Sequence, residues 1–409
     1  MVIFILHTGG LDRMELWRRN LLILWIGTVF GGISFSLVSP FLPKLLQEVG
    51  VVDNLEVWSG WAFAATFVTS AILAPVWGSL ADKYGRKPQL LRAGVGIGVT
   101  YILMAYATSP MHVVLLRLLL GVFNGFIPTA IAMVATNTPE DQLGSALGTI
   151  QTGGAFGTVL GPMVGGYLNF YFGMQQTLLI AGFSLFFATL VCIFGTTELN
   201  KGDRTIKSNV FRDIKQSVSH PVLLQMFFLL LLFNLSFMII QPVLPIFIQT
   251  LVGDGDASVP TGVIFSVAGM ATVLAAPRWG KWGQKVGYTK VLRYGIIGGA
   301  TVSFLMSAAN NLWLLGSMRF VFGLFLAAVM PSTNAIMARS VPANFRSRAL
   351  AVGNSFGQIG GAVGPILGGY IGQLFGLPTV FIATGLCLAV VAVWISRSKW
   401  DKSKMRPVV

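Results

Sequence analysis

Hydrophobic residues in this chain come in long unbroken runs, unlike the alternations or one-sided stripes of a water-soluble fold. Twelve runs reach membrane-spanning length, at about 20–42, 57–78, 89–108, 111–136, 144–170, 174–197, 221–249, 261–279, 291–308, 312–338, 349–374 and 378–396. A helix crossing a bilayer takes roughly 20 apolar residues. Helices are predicted for all twelve, because lipid offers no partners to open strand edges. Barrel strands would instead be short and alternating. Most polar breaks are brief, and Thr108 to Met111 is barely a turn. The longest is ELNKGDRTIKSNVFRDIKQSVSH, about 198–220. Within it Val210–Ser219 has the pattern of a short amphipathic helix for a membrane surface; a solvated linker fits equally well.

The runs repeat at an offset of 202 to 203 residues. Pro40 and Pro43 recur as Pro242 and Pro245, and Pro75, Trp77 and Gly78 as Pro277, Trp279 and Gly280. Arg117 and Gly121 recur as Arg319 and Gly323, and Gly161-Pro162 as Gly364-Pro365. Two copies of one bundle imply a pseudo-twofold axis along the membrane normal and a shared cavity between the halves. The expected organisation is an all-α membrane protein. It has a tail at 1–19, a six-helix bundle at 20–197, a linker at 198–220, a second bundle at 221–396 and a tail at 397–409.

Composition agrees: 54% of residues are hydrophobic and 10% charged, which excludes a soluble or disordered chain. The net charge of +14 invites a nucleic-acid partner until its distribution is followed. All Lys and Arg except Lys44, Arg117 and Arg319 fall on one side of the predicted topology, while Glu48, Asp53, Glu56, Asp254 and Asp256 fall on the other. This is the positive-inside pattern. It predicts a multi-pass protein of the cell inner (plasma) membrane with both termini cytoplasmic, and no nucleic-acid role. Cys192 and Cys387 read as packing residues, and three scattered histidines make no metal site. MVIFIL is too short for a signal segment. Met14 is a plausible alternative start, so residues 1–13 are assigned no function.

Three motifs carry mechanism. The first is Gly78-Ser-Leu-Ala-Asp82-Lys-Tyr-Gly85-Arg86-Lys87, between helices two and three. Its glycines suit a tight reversal, and Asp82 near a helix N-terminus suits the dipole. The second is Arg117-x-x-x-Gly121-x-x-x-Gly125 on helix four. An arginine in lipid is costly unless it faces the interior or snorkels to the interface. The third places Gly153, Gly157, Gly161 and Gly165 four apart on helix five, with Pro162 and Gly166 alongside, a flat stripe for close packing.

The ordered G-x-L-A-D-x-x-G-R-K pattern resembles the signature loop of the major facilitator superfamily, and the resemblance extends over essentially the whole chain. It implies two six-helix bundles that rock about a central site. By that resemblance Asp82 and Arg86, with Gly78, Gly85 and Lys87, form an inner latch. The second copy has Gln284 and Tyr288 at those charged positions, so the latch is expected in the first half only. The resemblance also associates Arg117 with proton coupling and reads Arg319 as structural. The helix-five stripe, ending in G-P-x-x-G-G, matches the antiporter motif of twelve-helix drug:proton exporters, similar to Gram-positive multidrug and fluoroquinolone pumps.

No acidic residue lies at the predicted centre of a helix, so the proton carrier is not identified. Asp82 with Arg86 and Arg117 is the first choice, and the outer acids Glu48, Asp53 and Glu56 the second. Asn124, Gln151, Asn234, Gln241, Asn334, Asn354 and Gln358 are candidate cavity residues, with interhelical hydrogen bonding as the plain alternative. No Walker loop and no catalytic constellation appears, so neither an ATPase nor another enzyme is expected. The predicted function is secondary active multidrug efflux, exchanging protons for lipophilic drugs or dyes by alternating access. Its alternatives are export of one metabolite, such as a sugar or lipid precursor, and a non-transporting membrane sensor. No cofactor is expected beyond the proton gradient, and the partners are lipophilic small molecules, protons and lipid around a monomer.

Overall fold

The computed structural model describes residues 15–198, 210–342 and 345–397, without the side chains of Asp82, 210–213 and Ser347. Most of both terminal tails (1–14 and 398–409), the 199–209 part of the linker and residues 343–344 lie outside the described residues. Eight helical stretches are long and apolar enough to cross a membrane. The longest, Leu143–Gly195, has 53 residues. At 1.5 Å per residue that is about 80 Å, against a hydrocarbon core of ~30 Å. It folds back at Gly173, whose φ of 79° and ψ of 171° exclude side-chain-bearing residues, and so holds the fifth and sixth spans. Arg86–Met104, Tyr288–Met306 and Arg346–Phe375 are the third, ninth and eleventh. All twelve predicted spans are helical, and the described residues contain no strand. Val210–Val218 forms the short helix expected in the linker.

Several spans are interrupted, and the interruptions match between the halves. The first span is Leu16–Val38, a 3₁₀ turn at Ser39–Phe41, then Leu42–Glu48. The seventh is Pro221–Ile240 followed by Leu244–Val252. Pro40 and Pro242 fall in the breaks and Pro43 and Pro245 in the first turns beyond them, where a missing N–H costs least. The fourth span breaks between Pro110–Phe123 and Phe126–Asn137, at Gly125 with φ of 133°. A carbonyl freed by such a break needs a donor when no water is present. The Val122 carbonyl accepts from Trp77 Nε1 at 2.8 Å and from Arg92 at 3.1 Å. In the tenth span, Leu312–Leu326 and Val329–Arg339, Trp279 Nε1 donates to the Leu324 carbonyl at 2.7 Å. The repeat thus holds down to a single hydrogen bond.

Buried apolar residues form two separate clusters, one running from Leu21 to Cys192 and the other from Leu223 to Ile395. Within the first half the helix-five stripe finds its partner. Gly153, Gly157, Gly161 and Gly165 each lie against backbone of the first span, at Trp25, Val29, Ile33 and Leu37. Gly360, Gly364 and Gly368 repeat this against Leu231, Leu235 and Ile239 of the seventh. These stripes hold each half together.

A second set of glycines joins the halves to each other. Gly262 on the eighth span (Ser258–Val286) lies against Gly166 and the Pro162 carbonyl. On the opposite seam, Gly60 of the second span (Leu55–Tyr84) meets the Pro365 carbonyl, and Gly369 meets the Glu56 carbonyl. Lys44 Nζ adds an ion pair to Asp256 at 3.0 Å and a hydrogen bond to Ser258 at 2.9 Å, and Gln373 bonds Asn54. All these contacts lie toward the face away from the termini. Toward the terminal face, Gly78, Gly144, Gly148 and Gly280 have no described residue within 4 Å of where a Cβ would stand.

Candidate functional site

The sealed seam roofs a central cavity of about 530 Å³ between the two halves. Its lining comes from the first, second, fourth and fifth spans and from the seventh, eighth and tenth. It is mostly apolar: Phe35, Phe63, Phe67, Phe237, Met238, Phe265 and Phe322 face it. Ser36, Ser39, Thr66, Thr158, Gln241 and Thr272 add hydroxyls and one amide. Two charges line it, Arg117 and Arg319, and no carboxylate does among the described residues. This matches the absence of mid-helix acids in the sequence.

Arg117 does not snorkel; it is 2% exposed. Its Nε donates to the Ala62 carbonyl at 3.1 Å and its guanidinium lies 5.9 Å from the Phe63 ring centre. The backbone at Arg117 accepts from the Thr66 hydroxyl at 3.0 Å, which ties the fourth span to the second. Nη1 of Arg117 has no hydrogen-bond partner. Arg319, its repeat counterpart, lines the same cavity. It is 1% exposed, stands 5.8 Å from Phe265 and 5.7 Å from Phe322, and its Nε and Nη1 are both unpartnered. Phe63 and Phe265 are themselves repeat equivalents, so the two cations sit in matching aromatic settings.

The predicted amides scatter. Gln241 alone reaches the central cavity. Asn124 and Gln358 line a smaller one, about 250 Å³, toward the terminal face, together with Gly78, Arg86 and Arg92. Asn124 donates to Ser70 at 3.0 Å, beside the break in its span. Asn234 bonds the Leu230 carbonyl at 2.9 Å, Asn334 is half-buried, and Gln151 and Asn354 are exposed.

The signature loop differs from its reading in two ways. Helix two continues to Tyr84, so Gly78 is helical and only Gly85, with φ of 98°, makes the reversal. Backbone bonding runs unbroken through Gly78 and ends where Gly85 N donates to the Ala81 carbonyl at 3.0 Å. Asp82 therefore falls in the last turn of helix two; its side chain lies outside the described residues. Among the described side chains, the carboxylate that meets the third helix is Glu198, which accepts from the Arg86 and Lys87 N–H groups at 2.5 and 3.3 Å. Lys87 Nζ also donates to the Thr196 carbonyl at 2.8 Å. Sequence reading missed Glu198, more than a hundred residues from the loop it caps. Lys44 is the lone cation on its face by sequence, and only the fold selects Asp256 as its partner from the five acids there.

On Asp256, burial opposes ionisation, but hydrogen bonds from Ser258 and the Lys44 ammonium outweigh it and hold the carboxyl below the usual carboxylate range.

The family model of the Major Facilitator Superfamily matches residues 24–272 and 226–406. A multidrug resistance protein MdtG from Proteus mirabilis is 33% identical over 395 residues, covering 94% of this chain and 97% of its own. The protein of that name from Escherichia fergusonii is 35% identical over 399 residues, covering 95% and 96%. These organisms lend nothing to the expected likeness to Gram-positive pumps. Among solved structures, a bacterial homologue of the human lysosomal transporter Spinster superposes with a TM-score of 0.79 at 14% identity, covering 96% of this chain and 99% of its own. The nucleoside transporter NupG does so with 0.74 at 15%, covering 95% and 100%.

Proposed function

The chain belongs to the major facilitator superfamily, and from that premise we propose that it is a secondary multidrug exporter working by alternating access. The observation that carries this reading is the whole-length relationship to proteins named multidrug resistance protein. The large apolar cavity between the repeats supports it. Such a cavity takes up lipophilic molecules through adaptable Phe and Met surfaces, without a fixed set of polar contacts. Residues 20–197 and 221–396 act as two rocking bundles around the cavity, joined by the linker 198–220. The membrane is the cell inner membrane, and the terminal face is cytoplasmic, following the distribution of Lys and Arg. The arrangement described above is then inward-facing: sealed outside by the glycine seams and the Lys44–Asp256 pair, open inside.

Protons are the exchanged ion in this proposal. Asp82 and Arg86 form the latch that closes the inner face when the outer one opens. Arg117 remains charged at any accessible pH, so its part is to order a water path or lower the pKa of a nearby carboxylate, not to carry the proton. The helix-five stripe, from Gly153 through Gly157 and Gly161 to Gly165, holds the first half rigid while Pro162 and Gly166 form its moving edge. The test is efflux of a panel of lipophilic dyes from cells with and without a protonophore. Efflux that is lost with the protonophore supports the proposal; no efflux of any dye favours export of a single metabolite.

A further inference from the structure

We infer that Tyr101 is a positioning residue for Arg117: in the outward-facing state its phenol oxygen accepts a hydrogen bond from Nη1, and proton coupling depends on that bond. The inference rests on the exporter reading and deepens it, adding a residue to which no motif points. Tyr101 is fully buried, and its hydroxyl has no hydrogen-bond partner among the described residues. A buried tyrosine ordinarily spends that group. Nη1 of Arg117 is buried and unpartnered as well. The two are complementary, since Nη1 can only donate and a phenol oxygen can accept.

Packing brings them to one level. Gly96 of the third span (Arg86–Met104) lies against the Phe123 ring of the fourth. The spans run antiparallel with equal rise per residue, so Tyr101, further along the third, stands level with the turn that carries Arg117. The guanidinium charge accordingly acts on the Tyr101 hydroxyl. In the inward-facing arrangement Arg117 is held by the second span, through the Ala62 carbonyl on Nε and the ring of Phe63, and Nη1 is left over. An unspent donor and acceptor in a dry core are costly, which favours another arrangement that joins them. The repeat shows that the fold itself does not require the tyrosine. Its equivalent is Ser303, whose hydroxyl is spent on the Phe381 carbonyl at 2.8 Å. A tyrosine beside the arginine thus occurs only in the half whose arginine is proposed for coupling.

The test is Tyr101→Phe, which keeps the buried ring and removes the hydroxyl, in proteoliposomes with radiolabelled norfloxacin as the probe. Two rates are compared: accumulation driven by an imposed pH gradient, and counterflow of labelled for unlabelled probe without one. Counterflow is expected to stay within twofold while driven accumulation falls at least tenfold; a hydroxyl with a merely structural role would lower both or neither. Ser303→Ala, the same removal in the other half, should leave the ratio of the two rates within twofold. Adding Tyr101→Phe to Arg117→Gln should lower that ratio no further, because a residue that acts through Arg117 has nothing left to act on. Independently of transport, the carbon-13 NMR resonance of the Tyr101 ring Cζ, identified by its loss in Tyr101→Phe, should shift in Arg117→Gln and stay in place in Arg319→Gln. Four results overturn the inference: driven accumulation unchanged in Tyr101→Phe, both rates lost together, losses that multiply in the double variant, or a resonance unmoved by Arg117→Gln. An unmodified chain that moves no norfloxacin in either assay counts against the exporter reading instead, and the resonance alone then decides whether Tyr101 and Arg117 meet.

Discussion

Glu198 closes the signature loop from a distance: its carboxylate covers the first two N–H groups of the Arg86–Met104 helix. A negative charge at a helix N-terminus contributes about 0.3–1 kcal/mol, and charge-assisted bonds strengthen it. Glu198→Gln should therefore destabilise the chain by about 1 kcal/mol, visible as a lower unfolding midpoint in detergent with transport retained. Asp82→Asn should behave in the opposite way. Removing the charge proposed for the inner latch should reduce dye efflux at least tenfold at unchanged membrane abundance; unchanged efflux would leave the loop as a topological signal only. The Lys44–Asp256 pair has its own pH signature. Because the folded-state pKa of Asp256 is depressed, its stabilisation is present above the ordinary carboxylate range and is lost as pH falls through the depressed value. The pair itself should therefore hold at neutral pH, while burial raises the pKa of the neighbouring Glu48 carboxyl, so that Glu48 takes up its proton before Asp256 does as pH falls. Asp256→Asn should loosen the outer seal at most about fivefold, since partly exposed pairs are worth about 0–1 kcal/mol. Accessibility of a cysteine placed beneath the seal would measure both.

Glycines divide by element into those that hold a half together and those that let the halves meet. Gly157 lies against Val29, Gly32 and Ile33 of its own half, whereas Gly262 lies against Pro162 and Gly166 of the other. Overpacking costs about 1–3 kcal/mol, but it should act on different equilibria. Gly157→Leu should lower the amount of folded protein in the membrane. Gly262→Leu should leave abundance near normal and wedge the outer seam open, giving a protein that binds substrate and no longer exports it. Cysteine accessibility on the outer face, compared with abundance, separates the two; similar loss of folding in both would contradict the division. All twelve helices and their repeat were legible in the sequence, because hydrophobic length and the matched Pro, Gly and Arg positions are local signals. The seam was not. Gly166 stood out only as part of the helix-five motif, and Gly60, Gly262 and Gly369 look like ordinary helical glycines until helices distant in the chain are brought together. Gly78 was misplaced because a glycine before a turn reads the same whether it ends the helix or lies within it.

At the scale of the whole molecule, the site was partly legible for the same reason. Arg117 was found from its motif, and the missing carboxylate from a scan of acidic positions. The second arginine was set aside as structural, since nothing local shows that Arg117 and Arg319 look into one cavity; only the pseudo-twofold arrangement brings them together. The scattering of the amides follows from the same limit, because helical period gives the face a residue occupies but not which neighbour that face meets. What remains is the coupling itself, since the cavity is basic and apolar and has no acid of its own among the described residues. Purified protein in proteoliposomes, with an imposed pH gradient and a lipophilic probe on both sides, measures it directly. The account predicts accumulation of the probe against its own concentration gradient, driven by protons moving the other way and abolished when the pH difference is collapsed. Transport that only equalises the probe, or that proceeds at the same rate with no gradient, would contradict it.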